Sequence, residues 1–578
     1  MQRFNTIGIK TLKIWPWVAA GVAAWLVCRW AFWSRRGFDF QDEGSYLLLA
    51  QDPWRNTFSS LFGFVLHPLY LLSFQDPGWF RLASVLFLAA AALGCAYAWW
   101  VRSKNFSGDI LGRAGIAALL ITSSLLVYSD GRRTPSYDTL VFFGALVAWA
   151  GYFGLWEEKG LRFWSWGAIV NGLFFAFLAK WPSGILMLPL FFWIIWKNNL
   201  WRQSDLGLVL ALVFSLATFW TWWIGIQGIR ETAQMVDFLV NKSISHGPQL
   251  LPYYGATLVN FLYRCLRAFA YGLPLLLFFW FIYHRKAQNL SLLTAIAWIS
   301  PWVILAGGLF FGLTRAGASS FSRVGSNVVA EVLWLTAAGL IVCPWRDWLR
   351  FGFRPLEALG LVFTPFILGF GTASALGDYV GHGALFFQLV GLGIMGVLLR
   401  QGVSRPLLIA FLFLGTILNL FRAEASLRDQ FRTAPMHECV FPWPSPNGGM
   451  IYLDAEKARF LGDLQAKLRE QGFRLGDPIV AIGDMPGVVY FVGGYSPGAN
   501  WYPATHAEHL RFALALLQSV PPEIREQATL LINEKSPLYA KKAEILRWVG
   551  AGEPHEIGPY LINSAPERFF LWSPRQSR

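Results

Sequence analysis

Charge is what this chain has least of. Only 14% of its 578 residues are Asp, Glu, Lys or Arg, while 55% are hydrophobic; an ordinary soluble domain carries about 25% charged residues. A soluble chain throughout is thereby excluded, and an integral membrane protein is indicated. Cysteine is scarce too. Cys28, Cys95, Cys265, Cys343 and Cys439 are scattered, with neither a disulfide framework nor zinc-ligand spacing. The chain has no HExxH, no paired CxxC and no GxxxxGK[ST], so zinc proteolysis and cytosolic nucleotide hydrolysis lack support. The net charge of +14 is spread among loops. That distribution fits a basic membrane protein drawn to anionic lipid and argues against nucleic acid as a partner.

What is abundant is apolar sequence, with 30 Trp and 49 Phe. The first run ends without a small-residue cleavage site and reads as an uncleaved span. Runs near 12–33, 80–101, 111–128, 138–156, 163–179, 182–197, 205–224, 261–283, 291–312, 324–343, 356–376, 384–400 and 406–421 give about thirteen transmembrane helices at about twenty residues each. From Arg422 onward charges become frequent and long apolar runs stop. The expected fold class is therefore an α-helical polytopic membrane domain, residues 1–421, followed by a soluble α/β domain, residues 422–578. In the latter, 454–471 reads as an amphipathic helix with Ala455, Ala458, Leu461 and Leu464 at helical spacing. Strands are expected at 479–482, 488–492, 529–533 and 568–572, and helices near 506–519 and 537–549.

The distribution of Lys and Arg favours a cytoplasmic N-terminus, and an odd number of spans then places the last domain outside the cell membrane. The same alternation puts the loops around Asp42, Arg132 and Lys180 on one outer face. Residues 225–260 fall there too, as a long polar and aromatic connection of the kind that is usually functional.

Asp39, Asp42 and Glu43 cluster just past the first span, where carboxylates are costly unless they serve something. Capping of a short helix over 43–51 would employ Asp42 alone and leave the cluster unexplained. Tyr46, four residues on, shares the helical face of Asp42, and a carboxylate there suits general base catalysis. Arg132 and Arg133 precede Thr134-Pro135, a cap and first-turn signal, and Asp138 lies where a helix dipole favours an anion. Paired arginines in an outer loop oppose the usual charge bias, and arginine is suited to phosphate. Lys180, between two apolar runs, reads either as a snorkelling lysine or as a point charge for phosphate. Tyr46, Tyr137 and His67 join Arg132, Arg133 and Lys180 as candidate substrate-binding side chains, although lone histidines such as His67 and His246 are most often structural. The glycine-rich stretches 483–487 and 493–498 read as turns around a strand.

These motifs together resemble the GT-C membrane glycosyltransferases, in particular the bacterial relatives of protein O-mannosyltransferases and of the lipid A aminoarabinose transferase (glycosyltransferase families 39 and 83). Asp42-Glu43-Gly44-Ser45-Tyr46 is similar to that group's Asp-Glu-x-x-Tyr element. Arg133 through Asp138 resembles its second acidic position, and Ala179-Lys180-Trp181-Pro182-Ser183-Gly184 resembles its Lys-Gly-Pro segment. The likeness covers roughly residues 10–330. It departs at the single Pro68 after His67, where relatives often have two prolines, and at the arginine-rich setting of Asp138.

The resemblance implies transfer of a sugar from a polyprenyl-phosphate donor to a lipid, glycan or protein acceptor outside the inner (plasma) membrane, with inversion. Asp42 would be the base, Glu43 and Asp138 would orient the acceptor or a divalent metal ion, and Lys180 and Arg133 would stabilise the departing phosphate. If a metal takes part, Asp42 and Glu43 are its candidate ligands. The competing readings are a flippase of lipid-linked sugars, which needs polar groups along a path and internal repeats, and a GT-C-like scaffold that binds without catalysis.

Overall fold

The structure is a computed structural model that describes residues 15–56, 59–103, 110–128, 133–156, 162–203, 206–241, 250–271, 321–342, 345–350, 353–371, 376–400, 405–428, 434–502, 509–549, 551–561 and 566–574. Its first part is helical: α1 (Trp15–Trp33), α2 (Asp42–Gln51), α3 (Phe62–Leu72), α4 (Pro77–Arg102), α5 (Ile110–Ser124), α6 (Tyr137–Gly154), α7 (Arg162–Ala179) and α8 (Trp181–Lys197). After these come α9 (Leu206–Asn241), α10 (Leu250–Tyr271), α11 (Phe321–Val342), α12 (Pro355–Gly369), α13 (Leu376–His382), α14 (Ala384–Arg400) and α15 (Arg405–Arg428). The outer surface of these helices is apolar: Trp25, Phe32, Phe192, Phe214 and Trp222 are all exposed. Exposed side chains of this kind suit hydrocarbon better than water.

Two of the described helices, spanning Pro77–Arg102 and Leu206–Asp237, are long and apolar enough to cross a membrane unaided, and several apolar helices are shorter. The count of thirteen is therefore not reproduced. The run expected at 291–312 lies outside the described residues. Within the run at 356–376, α12 ends at Gly369, and Gly371 just beyond it adopts a left-handed conformation (φ +85°). The long connection expected at 225–260 is largely helical. Gly225 is non-helical (φ 74°, ψ 159°) and splits α9 into two helical segments at a kink, the second reaching Asn241; α10 covers Leu250–Tyr271.

Helices α6 and α7 touch along small residues. A methyl group on Gly144 would lie 2.5 Å from the Gly172 carbonyl oxygen and 2.9 Å from the Ala176 nitrogen, so close backbone approach is what glycine provides here. Deeper in the helical layer, Arg422 of α15 lies 2.7 Å from Glu331 of α11, both almost fully buried. Asn419 accepts a hydrogen bond from Arg422 at 3.2 Å and donates to Ser123 at 2.9 Å. Removing one partner of a buried pair costs about 3–5 kcal/mol, whereas replacing both with apolar groups is often near neutral. Arg422→Met should therefore lower the unfolding temperature sharply, and the double variant Arg422→Met/Glu331→Leu should recover most of it; thermal unfolding in detergent reads both.

The second part is mixed. Strands β1 (Phe441–Pro444) and β2 (Met450–Leu453) form an antiparallel hairpin. Helix α16 (Ala455–Glu470) is capped by Asp454, whose carboxylate accepts from the Lys457 N–H, and it buries Phe460, Leu461, Leu464 and Leu468. Strand β3 (Ile479–Ile482), helix α17 (Pro486–Phe491) and helix α18 (His509–Ser519) lead to β4 (Thr529–Asn533), β5 (Ala551–Leu561) and β6 (Pro566–Pro574). The sheet order is β3-β4-β6-β5, with β3 and β4 parallel and the other pairs antiparallel. The stretch expected as a strand at 488–492 is helix α17, started by Pro486 in the first turn and buried along its whole length. Full burial removes the contrast between faces on which a periodicity argument depends.

Candidate active site

Helix α2 begins where the acidic cluster stands. The Asp39 carboxylate accepts from the N–H of Gln41 (3.1 Å) and of Asp42 (2.9 Å). Asp39, and not Asp42 as the sequence suggests, thus satisfies amide groups that a helix start leaves open. Asp39 and Glu43 are buried at 3% and 1% exposure, whereas Asp42 is half-buried. Of the three acids, Asp42 is the one solvent reaches.

Glu43 points into the protein. Its Oε1 accepts from the Arg133 N–H (2.8 Å), the Thr134 N–H (2.8 Å) and the Thr134 hydroxyl (3.0 Å). Its Oε2 accepts from the Asp39 N–H (3.0 Å) and forms an ion pair with Arg81 Nη2 at 2.9 Å. Burial pushes the Glu43 carboxyl up. The charges of Arg81 and then Arg133, with the Asp39 and Thr134 amides, outweigh that effect and hold it below the usual carboxylate value. Arg81 also donates to the carbonyls of Ser34 (3.1 Å) and Gly37 (3.0 Å) and to the Thr134 hydroxyl (3.1 Å). Arg133 is buried and donates to the Trp33 carbonyl at 2.7 Å. Burial, and then the like charge of Arg81, push its guanidinium below the usual value, with Glu43 opposing; it remains a cation at neutral pH.

Asp42 and Glu43 are the candidate ligands for a metal ion. Both Glu43 oxygens already face cationic or N–H donors, and consecutive helical residues diverge by about 100°, so the pair does not fit a divalent ion. Among the described residues no three His, Cys, Asp or Glu side chains gather as a metal would require.

Lys180 is not a snorkelling lysine. It is buried, and its Nζ lies 2.8 Å from Asp138 Oδ1, donates to the Leu368 carbonyl at 2.8 Å and to the Tyr379 hydroxyl at 3.1 Å. Tyr379 in turn donates to Asp138 at 2.6 Å. Helix α6 starts one residue before Asp138 and is capped by Ser136, which accepts from the Thr139 N–H at 3.2 Å. The cap is thus two residues later than the Thr134-Pro135 signal implied, because Thr134 is held by Glu43.

Two aromatic rings connect these groups. Tyr46 meets Tyr137 edge to face, with centroids 5.8 Å apart, and the Tyr137 ring lies 5.2 Å from Lys180 Nζ. Asp42 and Tyr46 differ by about 40° around α2, so the two residues share a face of that helix. His67 stands apart: its Nδ1 bonds the Ala50 carbonyl at 2.8 Å, fixing the end of α2, and its ring packs on Trp54. Arg132 and His246 lie outside the described residues.

Sequence reasoning missed Arg81 and Tyr379. Arg81 had a visible signal, a charge in the first turn of an apolar run. Tyr379 had none, since its partners are 199 and 241 positions away.

Searches against protein-family models and against curated proteins give no match to this chain. Among solved structures, the apo crystal structure of ArnT from Cupriavidus metallidurans aligns with 96% of this chain and 97% of that one, at 14% sequence identity and a TM-score of 0.43. At that level of likeness, roles for individual residues are argued from this chain alone.

Proposed function

We propose that the chain is a membrane glycosyltransferase that moves a sugar from a polyprenyl-phosphate donor to an acceptor on the outer face of the membrane, with inversion. The observation that carries this reading is a half-buried carboxylate, Asp42, on the helix face of Tyr46, whose ring meets Tyr137 beside the Asp138–Lys180–Tyr379 cluster. Asp42 takes the proton from the acceptor hydroxyl or amine as that atom attacks the anomeric carbon. The bond from the anomeric carbon to the phosphate oxygen breaks, and polyprenyl phosphate leaves as an anion. Lys180 stabilises that anion by turning one N–H from Asp138 to a phosphate oxygen, while the Tyr379 hydroxyl goes on donating to Asp138. Asp138 holds the ammonium in place before the donor arrives.

Two earlier assignments change. Glu43 and Arg133 hold the 133–136 segment against α2, so they act as positioning residues and not as groups that touch substrate. The N-terminal part is read as membrane-embedded with the α/β unit, residues 434–574, outside. Labelling of Leu475→Cys, at an exposed position, by an impermeant thiol reagent on intact cells checks that placement. Protection from the reagent contradicts it.

Lys180→Ala should weaken binding of polyprenyl phosphate to the purified protein by about 10- to 100-fold, the loss of one charge-assisted hydrogen bond worth about 1.5–3 kcal/mol. Unchanged affinity removes Lys180 from the phosphate site. Movement of an intact lipid-linked sugar across a liposome, without transfer, would favour a flippase instead.

A further inference from the structure

The α/β unit is built into the acid helix. We propose that it sets the direction of Asp42, and that Gly44, Gly487 and Asn500 are positioning residues for that carboxylate. The proposal rests on the reading of Asp42 as general base and adds what aims it.

Helix α2 is gripped on three of its sides. At about 100° per residue, Glu43, Gly44 and Ser45 point in three successive directions away from Asp42. Glu43 is bound by Arg81 and the 133–134 backbone. Gly44 lies against Gly487 of α17 so closely that a methyl group on it would overlap the Gly487 backbone N and Cα. Ser45 is bonded through its hydroxyl to the Asn500 amide, and both residues are buried. The sector left over holds Asp42 and Tyr46, and the Tyr46 ring meets Tyr137 beside Lys180.

The contact at Gly487 is backbone on backbone. Its N–H donates to the Phe40 carbonyl at 2.6 Å. A methyl group there would lie 2.8 Å from Phe40 Cα and 2.9 Å from its carbonyl oxygen, and 2.8 Å from Phe38 Cε1. No flexible side-chain end is available to yield to it at Phe40, so the 38–41 loop that leads into α2 must shift relative to α17. Further contacts fix the same loop to the same unit: Gly37 N–H donates to the Tyr452 carbonyl at 2.8 Å, Tyr452 N–H to the Arg35 carbonyl at 2.7 Å, and Lys457 Nζ to the Phe38 carbonyl at 2.9 Å. The hydroxyls of Tyr70 and Tyr490 join α3 to α17 at 2.9 Å. These contacts thus come from residues more than 400 positions along the chain.

The test uses the full chain with Gly487→Ala and Asn500→Ala, and Gly462→Ala as control, since a methyl group at Gly462 meets nothing within 4 Å. Two readouts are taken: kcat and KM for a labelled polyprenyl-phosphate sugar, and amide hydrogen exchange over 42–51. Gly487→Ala should lower kcat by about 10²-fold, the loss typical of about 1 Å misplacement. KM for the donor should stay within about threefold, because donor contacts made equally before and during reaction are untouched. Exchange over 42–51 should quicken locally. Asn500→Ala creates space instead of a clash and should lower kcat several-fold with the same pattern. Wild-type kcat and exchange in Asn500→Ala and in Gly487→Ala would overturn the proposal, and so would a loss confined to donor KM. If Gly487→Ala does not fold, Asn500→Ala decides alone. If the wild-type protein transfers no sugar, the catalytic reading fails, while the exchange comparison still shows whether the unit holds the helix.

Discussion

Asp42→Asn is expected to lower sugar transfer by about 10³-fold, within the range for loss of a general base, with little change in unfolding temperature. The side chain is half-buried at the first turn of α2, and the helix start is secured by Asp39 accepting from the Gln41 and Asp42 amides. Asn preserves that arrangement, since the Asp42 amide takes part and not its carboxylate. Glu43 cannot replace the lost base, because both its oxygens are held by Arg81, Thr134 and two further backbone amides. Turnover near wild type in Asp42→Asn would remove Asp42 from the role assigned to it.

Glu43→Gln is expected to cost about 3–5 kcal/mol of stability at neutral pH, the range for a buried charge left without its partner. Arg81 and Arg133 would stay buried beside a neutral amide, and Arg81 is wholly enclosed. The sign of the pH dependence follows from the lowered carboxyl value of Glu43 in the folded protein. Such a group contributes stability that is present above its unfolded value of about 4.3 and lost as pH falls toward its folded value. The gap in unfolding temperature between wild type and Glu43→Gln should therefore be wide at pH 7 and begin to close only as pH falls below about 4.3, through the lowered folded value. A gap that does not depend on pH would mean that shape and not charge holds α2 to the 133–134 segment.

Local features were legible in the sequence. Helical spacing located 454–471, and the structure places α16 at Ala455–Glu470 with Asp454 as its cap. Short apolar runs located β3 and β4. The acidic cluster was visible as a costly group at the end of a span, yet its members could not be ranked. Only contacts from α4 and from the 133–134 backbone reveal that Glu43 faces inward and Asp42 does not. Lys180 was ambiguous for the same reason: its three hydrogen-bonding partners come from α6, α12 and α13, and nothing near position 180 encodes them. The strand expected at 488–492 failed because complete burial hides periodicity, and the Gly44–Gly487 contact was invisible because a glycine in a turn and a glycine pressed on a helix look alike in sequence.

The central claim is chemical, and one measurement addresses it most directly. Purified protein is reconstituted in liposomes with a polyprenyl phosphate carrying a radiolabelled sugar and an extract of envelope acceptors, and free polyprenyl phosphate and labelled product are both quantified. The account predicts one polyprenyl phosphate released per sugar transferred, with the anomeric configuration inverted in the product and both signals lost in Asp42→Asn. Label that stays on the lipid while the protein binds it, or release that is equal in Asp42→Asn, would contradict it.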